Sequence, residues 1–262
     1  MVTATRNDTQ ERTAARALAR ASVYRLLSQS LTFPDERTVA TLQQIDLPQA
    51  QELTPHLPAP VAAALAAFAS AAAGAAPATL PAEFRRIFSH VMSADCPPNE
   101  TPYTARHVFQ ETQDLADIAG FYRAFGVELS ERERPDHVGV ELEFMHLLTY
   151  KEAYARVHHT AAKVRLCRDA ERAFLRDHLG RWGPQFAQLL HRKAGSGYYA
   201  AVAHLTEQFL GSEIKHLRVQ PEPATDEPEV RVGDHGEEEG CPFTETCAAP
   251  EMGGSNVRVY SP

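Results

Sequence analysis

Cysteine is scarce in this 262-residue chain: Cys96, Cys167, Cys241 and Cys247 are the only four, and they lie far apart. They are too few to staple a chain of this length and match no common zinc spacing, which predicts a reducing compartment. Positive charge is not in excess either. Lys and Arg number 26 against 34 Asp and Glu, a formal charge of −8, which speaks against a nucleic-acid-binding surface. The N-terminus, MVTATRNDTQERTAARALARAS, lacks a signal-peptide core, and Asp8 and Glu11 argue against a transit peptide. Nothing resembles a phosphate-cradling loop, because Gly195-Ser-Gly197 has neither the lysine nor a preceding strand. The longest uncharged stretch, APVAAALAAFASAAAGAAPATL, is mostly alanine, with Val61, Leu65, Phe68 and Leu80 as its strong apolar residues. It reads as a soluble helix with one stripe at Val61, Leu65 and Phe68, not as a membrane span. These absences predict a soluble, cytoplasmic protein.

Alternating strand patterns are also missing, and what is present instead is helical periodicity. With 44% apolar residues the chain can bury a real core. Helices are expected at about 13–30, 36–45, within the alanine-rich stretch between Pro58 and Pro81, and at 81–91, 107–125, 138–157, 160–179, 182–194 and 197–217. Pro34 breaks the first, and Asp35 is placed to cap the second. The run MSADCPPNETPYT, with three prolines and no period, reads as a loop. After Arg218 the character changes: ten acids against Arg231 and Arg258 carry the whole net charge of −8, so residues 1–218 are neutral overall. The acidic, proline-rich segment 219–262 has little apolar surface with which to offset its ordering entropy, so it is expected to be disordered. The predicted fold is all-α: a single compact helical bundle over 1–218 and an acidic tail over 219–262.

Acids and histidines gather in ERPDHVGVELEFMHLL. Pro135 favours a helix start, and Asp136 is expected to cap it by accepting from the free amides of the first turn. His137 in that first turn should stay neutral, since the helix dipole disfavours an imidazolium there. It shares a face with Glu141, four residues on. A second chemistry is spelled by Glu143-x-x-His146 and Glu213-x-x-His216, the spacing used in di-iron carboxylate bundles. An oxidase or oxygenase built on these four residues is the alternative function, although chance matches are expected among 34 acids and 12 histidines. His235 with Cys241 and Cys247 is compatible with a soft metal or a short-loop disulfide. The simpler reading is two unconstrained thiols.

Three separated motifs resemble the TorD/DmsD/NarJ family of molybdoenzyme maturation chaperones. The first is Tyr24-Arg-Leu-Leu-Ser28 with Phe33-Pro34. The second is Glu83-Phe84-Arg-Arg-Ile-Phe88 followed by Pro97-Pro98-Asn-Glu100-Thr101-Pro-Tyr103. The third is Pro135-Asp136-His137 leading into Glu141-Leu-Glu-Phe-Met145. The version here is most similar to the chaperones of type II enzymes of the dimethyl sulfoxide reductase family. The resemblance implies an all-helical fold, no catalysis, no metal and no cofactor of its own. Its implied partner is the catalytic subunit of such a molybdoenzyme, bound through a twin-arginine leader or another N-terminal segment until the molybdenum cofactor is inserted. It also implies a client-binding surface at Phe84, Phe88, Glu100, Tyr103, Pro135, Asp136, His137 and Glu141, and it is compatible with a homodimer. An apolar and basic leader needs apolar rings and carboxylates, so Phe84 and Phe88 are expected to offer the rings. Asp136 and Glu100 are expected to meet arginines.

Overall fold

The computed structural model describes residues 2–35, 52–88, 95–105, 107–130, 133–224, 228 and 258–259. Nine α-helices run through them: α1 Val2–Ser30, α2 Ala59–Gly74, α3 Leu80–Phe88, α4 Thr101–Thr104, α5 Val108–Ala124, α6 Val138–His158, α7 Ala161–Asp177, α8 Leu179–Ala194 and α9 Tyr198–Leu217. Among the described residues the strands are two short ones, β1 Val127–Glu128 and β2 Arg258–Val259, paired antiparallel with Val127 opposite Val259. The expected helix over 36–45 falls inside the segment 36–51, outside the described residues, which end before it at Asp35. The same holds for 225–227 and 229–257 of the expected tail.

α6 is the central element because apolar residues occupy so much of its circumference. Val138, Leu142, Phe144, Met145 and Leu148 are all buried. α1 lies antiparallel along it, and their approach is close at one end. The Ser28 hydroxyl donates to the Gly139 carbonyl at 2.7 Å, and a Cβ at Gly139 would stand 2.8 Å from Thr32 Oγ1. At the other end the Gln10 amide meets the Arg156 carbonyl. α9 packs against α8 and α2, and there the expected stripe of Val61, Leu65 and Phe68 is buried, with the Phe68 ring against Tyr198. No single helix among the described residues is long and apolar enough to cross a membrane.

A buried arginine ties α1 to three other helices. Arg20 Nε donates to both Glu213 oxygens at 2.8 and 2.9 Å, Nη1 to Glu152 at 2.9 Å, and Nη2 to Glu171 at 2.7 Å. Arg156 and Arg168 also bind Glu152. Each carboxyl of the cluster meets a guanidinium, the pairing that a buried ion network requires.

The structure differs from the sequence reading at four boundaries. α1 begins at Val2, because its polar first turns contain no breaker and are linked by the Asp8–Arg12 pair. The proline loop contains the one-turn helix α4, since Pro102 sits at a position where its missing N–H costs nothing. α8 starts at Leu179, three residues early. Gly180 lies in its first turn and serves close packing: a Cβ there would lie 2.1 Å from the Leu175 carbonyl oxygen. Residues 219–224 belong to the body. The Val219 amide turns back to the Ile214 carbonyl at 3.2 Å and the Ala224 amide donates to the Arg181 carbonyl at 2.9 Å.

Candidate functional site

The second and third motifs meet in space. Asn99 and His137 form an antiparallel bridge. It is extended by the Glu100 amide donating to the Asp136 carbonyl at 2.9 Å and the Val138 amide to the Pro98 carbonyl at 2.8 Å. The prolines leave few backbone donors in the loop; the Glu100 amide goes to the turn before α6, and the Val138 amide of α6 answers to the loop. Tyr103 closes the loop on itself, its hydroxyl donating to the Pro97 carbonyl at 2.9 Å, and its ring lies 5.1 Å from that of Trp182. Tyr122 of α5 donates to the Pro135 carbonyl at 2.7 Å.

Asp136 is the knot of this unit, and it does not cap α6. It is fully buried. Its carboxylate accepts from Arg134 Nε at 2.9 Å and Nη2 at 3.1 Å, from the Thr101 hydroxyl at 2.8 Å and amide at 3.3 Å, and from Asn99 Nδ2 at 3.2 Å. Burial alone would raise its pKa, but Arg134 and Thr101 outweigh it and hold the carboxyl below its usual range. The cap is His137, one residue later, whose Nδ1 accepts from the Gly139 amide at 3.1 Å. Burial pushes its pKa down to about 4, so the ring is neutral and keeps the lone pair the cap needs.

Beneath the loop sits a second polar group. Glu100 and Glu141 are both fully buried. Glu100 Oε1 lies 3.3 Å from His178 Nδ1, and Glu141 Oε2 accepts from Trp182 Nε1 at 3.2 Å. His178 Nε2 is 3.3 Å from Asp117. Burial works against the imidazolium, yet Glu100 and Asp117 raise the His178 pKa overall.

The eight residues expected at a client surface therefore divide. Glu100, Asp136 and Glu141 are buried, and none of them is free to meet a client arginine, because Asp136 already holds one from its own chain. Tyr103 and Phe88 are buried too, Phe88 packing against Phe84 and Phe186. Phe84, Pro135 and His137 are half-buried and reach the surface. Phe84 meets the exposed ring of Phe33 edge-on at 5.6 Å, and the Arg85 guanidinium stands 5.1 Å over Phe33. Thr32, next to Phe33, and His137 both border Gly139 at the start of α6, so the segment carrying the Phe33–Phe84 pair meets the turn carrying Arg134, Pro135 and His137, and these residues make up the candidate rim.

The sequence reading placed Phe33 only in the first family motif, beside the helix-breaking Pro34, and gave no site role to Arg134, His178 or Trp182. An arginine two residues before a buried aspartate was a readable signal; nothing local marked the other two.

Two of the four residues of the di-iron alternative are engaged elsewhere. Glu213 is held by Arg20, and His146 Nδ1 pairs with the Ala21 carbonyl at 2.9 Å. No group of three or more potential metal ligands occurs among the described residues.

Relatives are consistent with the motifs. The chain is 28% identical over 216 residues to a perchlorate reductase assembly chaperone protein of Dechloromonas aromatica, covering 77% of this chain and 91% of the relative. A selenate reductase assembly chaperone protein of Thauera selenatis is 39% identical over 103 residues, covering 36% of this chain and 49% of the relative. A chlorate reductase assembly chaperone protein of Ideonella dechloratans is 34% identical over 116 residues, covering 41% and 55%. The sequence model for the nitrate reductase delta subunit matches residues 54–188, just over half of the chain and all of the loop, the Asp136 knot and α6. The chain belongs to this nitrate reductase delta subunit family, the group of TorD- and NarJ-type molybdoenzyme chaperones that its three motifs resemble.

Proposed function

We propose that this protein is a cytoplasmic, non-enzymatic chaperone that binds the catalytic subunit of one molybdoenzyme of the dimethyl sulfoxide reductase family through its leader or another N-terminal segment. It holds that subunit until the cofactor is in place. The observation that carries this reading is the joining of the two family motifs into a single buried knot, with a rim of Phe33, Phe84, Pro135 and His137 facing outward. The carboxylates are consumed in internal bonds, so the rim offers rings and backbone instead of acid–base chemistry. Phe33 already carries a guanidinium over its face, the arrangement by which an aromatic ring takes a client arginine. Asp136, Glu100, Tyr103 and Glu141 serve by fixing the rim's shape.

Co-expression with a tagged, cofactor-free catalytic subunit tests the proposal. A complex is expected, and the double substitution Phe33→Ser with Phe84→Ser should weaken it at least tenfold while leaving helicity unchanged. Absence of any complex with wild-type protein would overturn the reading.

A further inference from the structure

The Glu100–Glu141 pair sits where two anions cannot. Each carboxyl gives one oxygen to a donor on α8: Glu100 to His178, Glu141 to Trp182. The other two oxygens, Glu100 Oε2 and Glu141 Oε1, find no donor on any other residue. These two orphaned oxygens belong to fully buried carboxyls whose other oxygens meet donors one helical turn apart, His178 and Trp182, so a single proton between the carboxyls gives both a partner. We propose that Glu100 and Glu141 hold one proton in common and are the positioning residues of the rim, the shared proton seating the 97–105 loop on α6 and α8.

The surrounding charges favour one proton rather than none or two. Opposite the pair stand His178 and Trp182 from α8, with Asp117 and Tyr122 from α5. From the turn before α6 comes Asp136, already neutralised by Arg134. With one proton the pair carries a single negative charge, and His178, 3.3 Å from Glu100, is placed to meet it. Loss of the proton leaves a net negative charge in a site without solvent, beside Asp136, and repels the loop from α6. Burial first, and Glu100 second, keep the Glu141 pKa well above the ordinary carboxyl range. A carboxyl raised in this way supports the seated loop fully at acid pH and loses that support as pH climbs through its raised pKa.

The inference rests on the client-binding reading only for its biological consequence, and the experiment separates the two. Trp182 is the single tryptophan of the chain and touches Glu141 directly, so its fluorescence reports the pair in full-length protein. Wild-type protein titrated from acid to alkaline pH should show a fluorescence step with faster amide exchange at Glu100 and Val138. Glu141→Gln, whose amide donates to Glu100 at every pH, should lose the step and keep slow exchange. Infrared difference spectra, wild type minus Glu141→Gln and wild type minus Glu100→Gln, should each show a protonated-acid band, the constant contribution of Glu171 cancelling in the difference. Identical titrations of wild type and Glu141→Gln, or absence of that band from the differences taken at neutral pH on folded protein, would overturn the inference. Loss of the step in Glu141→Gln, with no client bound by wild type at any pH, would uphold the shared proton and defeat the chaperone reading alone.

Discussion

His137 keeps its Nδ1 lone pair on the Gly139 amide, and an added proton would destroy that bond. Its folded pKa of about 4 lies below the ordinary histidine value of about 6.5. The unfolded chain therefore binds more protons between these values. The stability His137 contributes is complete above about pH 6.5 and drains away toward pH 4, by about 1.4 kcal/mol per pH unit at most. His137→Asn should keep the cap without a titrating ring, so its melting temperature falls less between pH 7 and pH 5 than that of wild type. His137→Ala should lose about 1 kcal/mol at pH 7, the usual value of a missing helix cap, read by urea denaturation. If Asn and Ala behaved alike, the capping bond would contribute nothing.

At the scale of the elements, Arg20 makes the sharpest prediction. Its removal strands Glu171 and Glu213 and leaves Glu152 to Arg156 and Arg168; Glu171 is already pushed up to about 8, mainly by burial. Arg20→Met should cost about 3–5 kcal/mol at neutral pH, the usual penalty for breaking a buried pair from one side. Protonating the stranded carboxyls relieves the strain, so the deficit in melting temperature should be smaller at pH 5 than at pH 8.

None of this network could be read in the sequence. Arg20 pairs with Glu213 across 193 positions, and Glu213-x-x-His216 has the spacing of a metal ligand pair. Helices α5, α6 and α9 were legible almost to the residue because each combines strong periodicity with a clear stop. The Asp136 cap was misplaced by one position for a related reason. Aspartate is the better capping residue in isolation, and only the distant Arg134–Thr101–Asn99 cage shows that its carboxylate is already committed.

For the molecule as a whole, the place where the body stops is testable. Composition put the boundary after Arg218, but Val219 is buried, Pro221 borders Gly180, and Ala224 is bonded to Arg181. A chain ending at Ala224 should melt as the full-length protein does, while one ending at Arg218 should melt several degrees lower. Equal melting of the two truncations would return the boundary to Arg218. The net charge of −8 lies between Val219 and Pro262, so either truncation leaves a nearly neutral particle whose solubility near neutral pH should decline.

Cys96 lies at the start of the proline loop and has no exposed surface, and burial pushes its thiol up to about 12. A reagent that needs a thiolate can reach it only while the loop is lifted. Under conditions of rapid closing, its labelling rate is the rate for an open thiol multiplied by the fraction of time the loop is open. One cysteine thus converts the seating of the rim into a clock. It should run faster in Glu141→Ala than in wild type and slow again when a client presses the loop down.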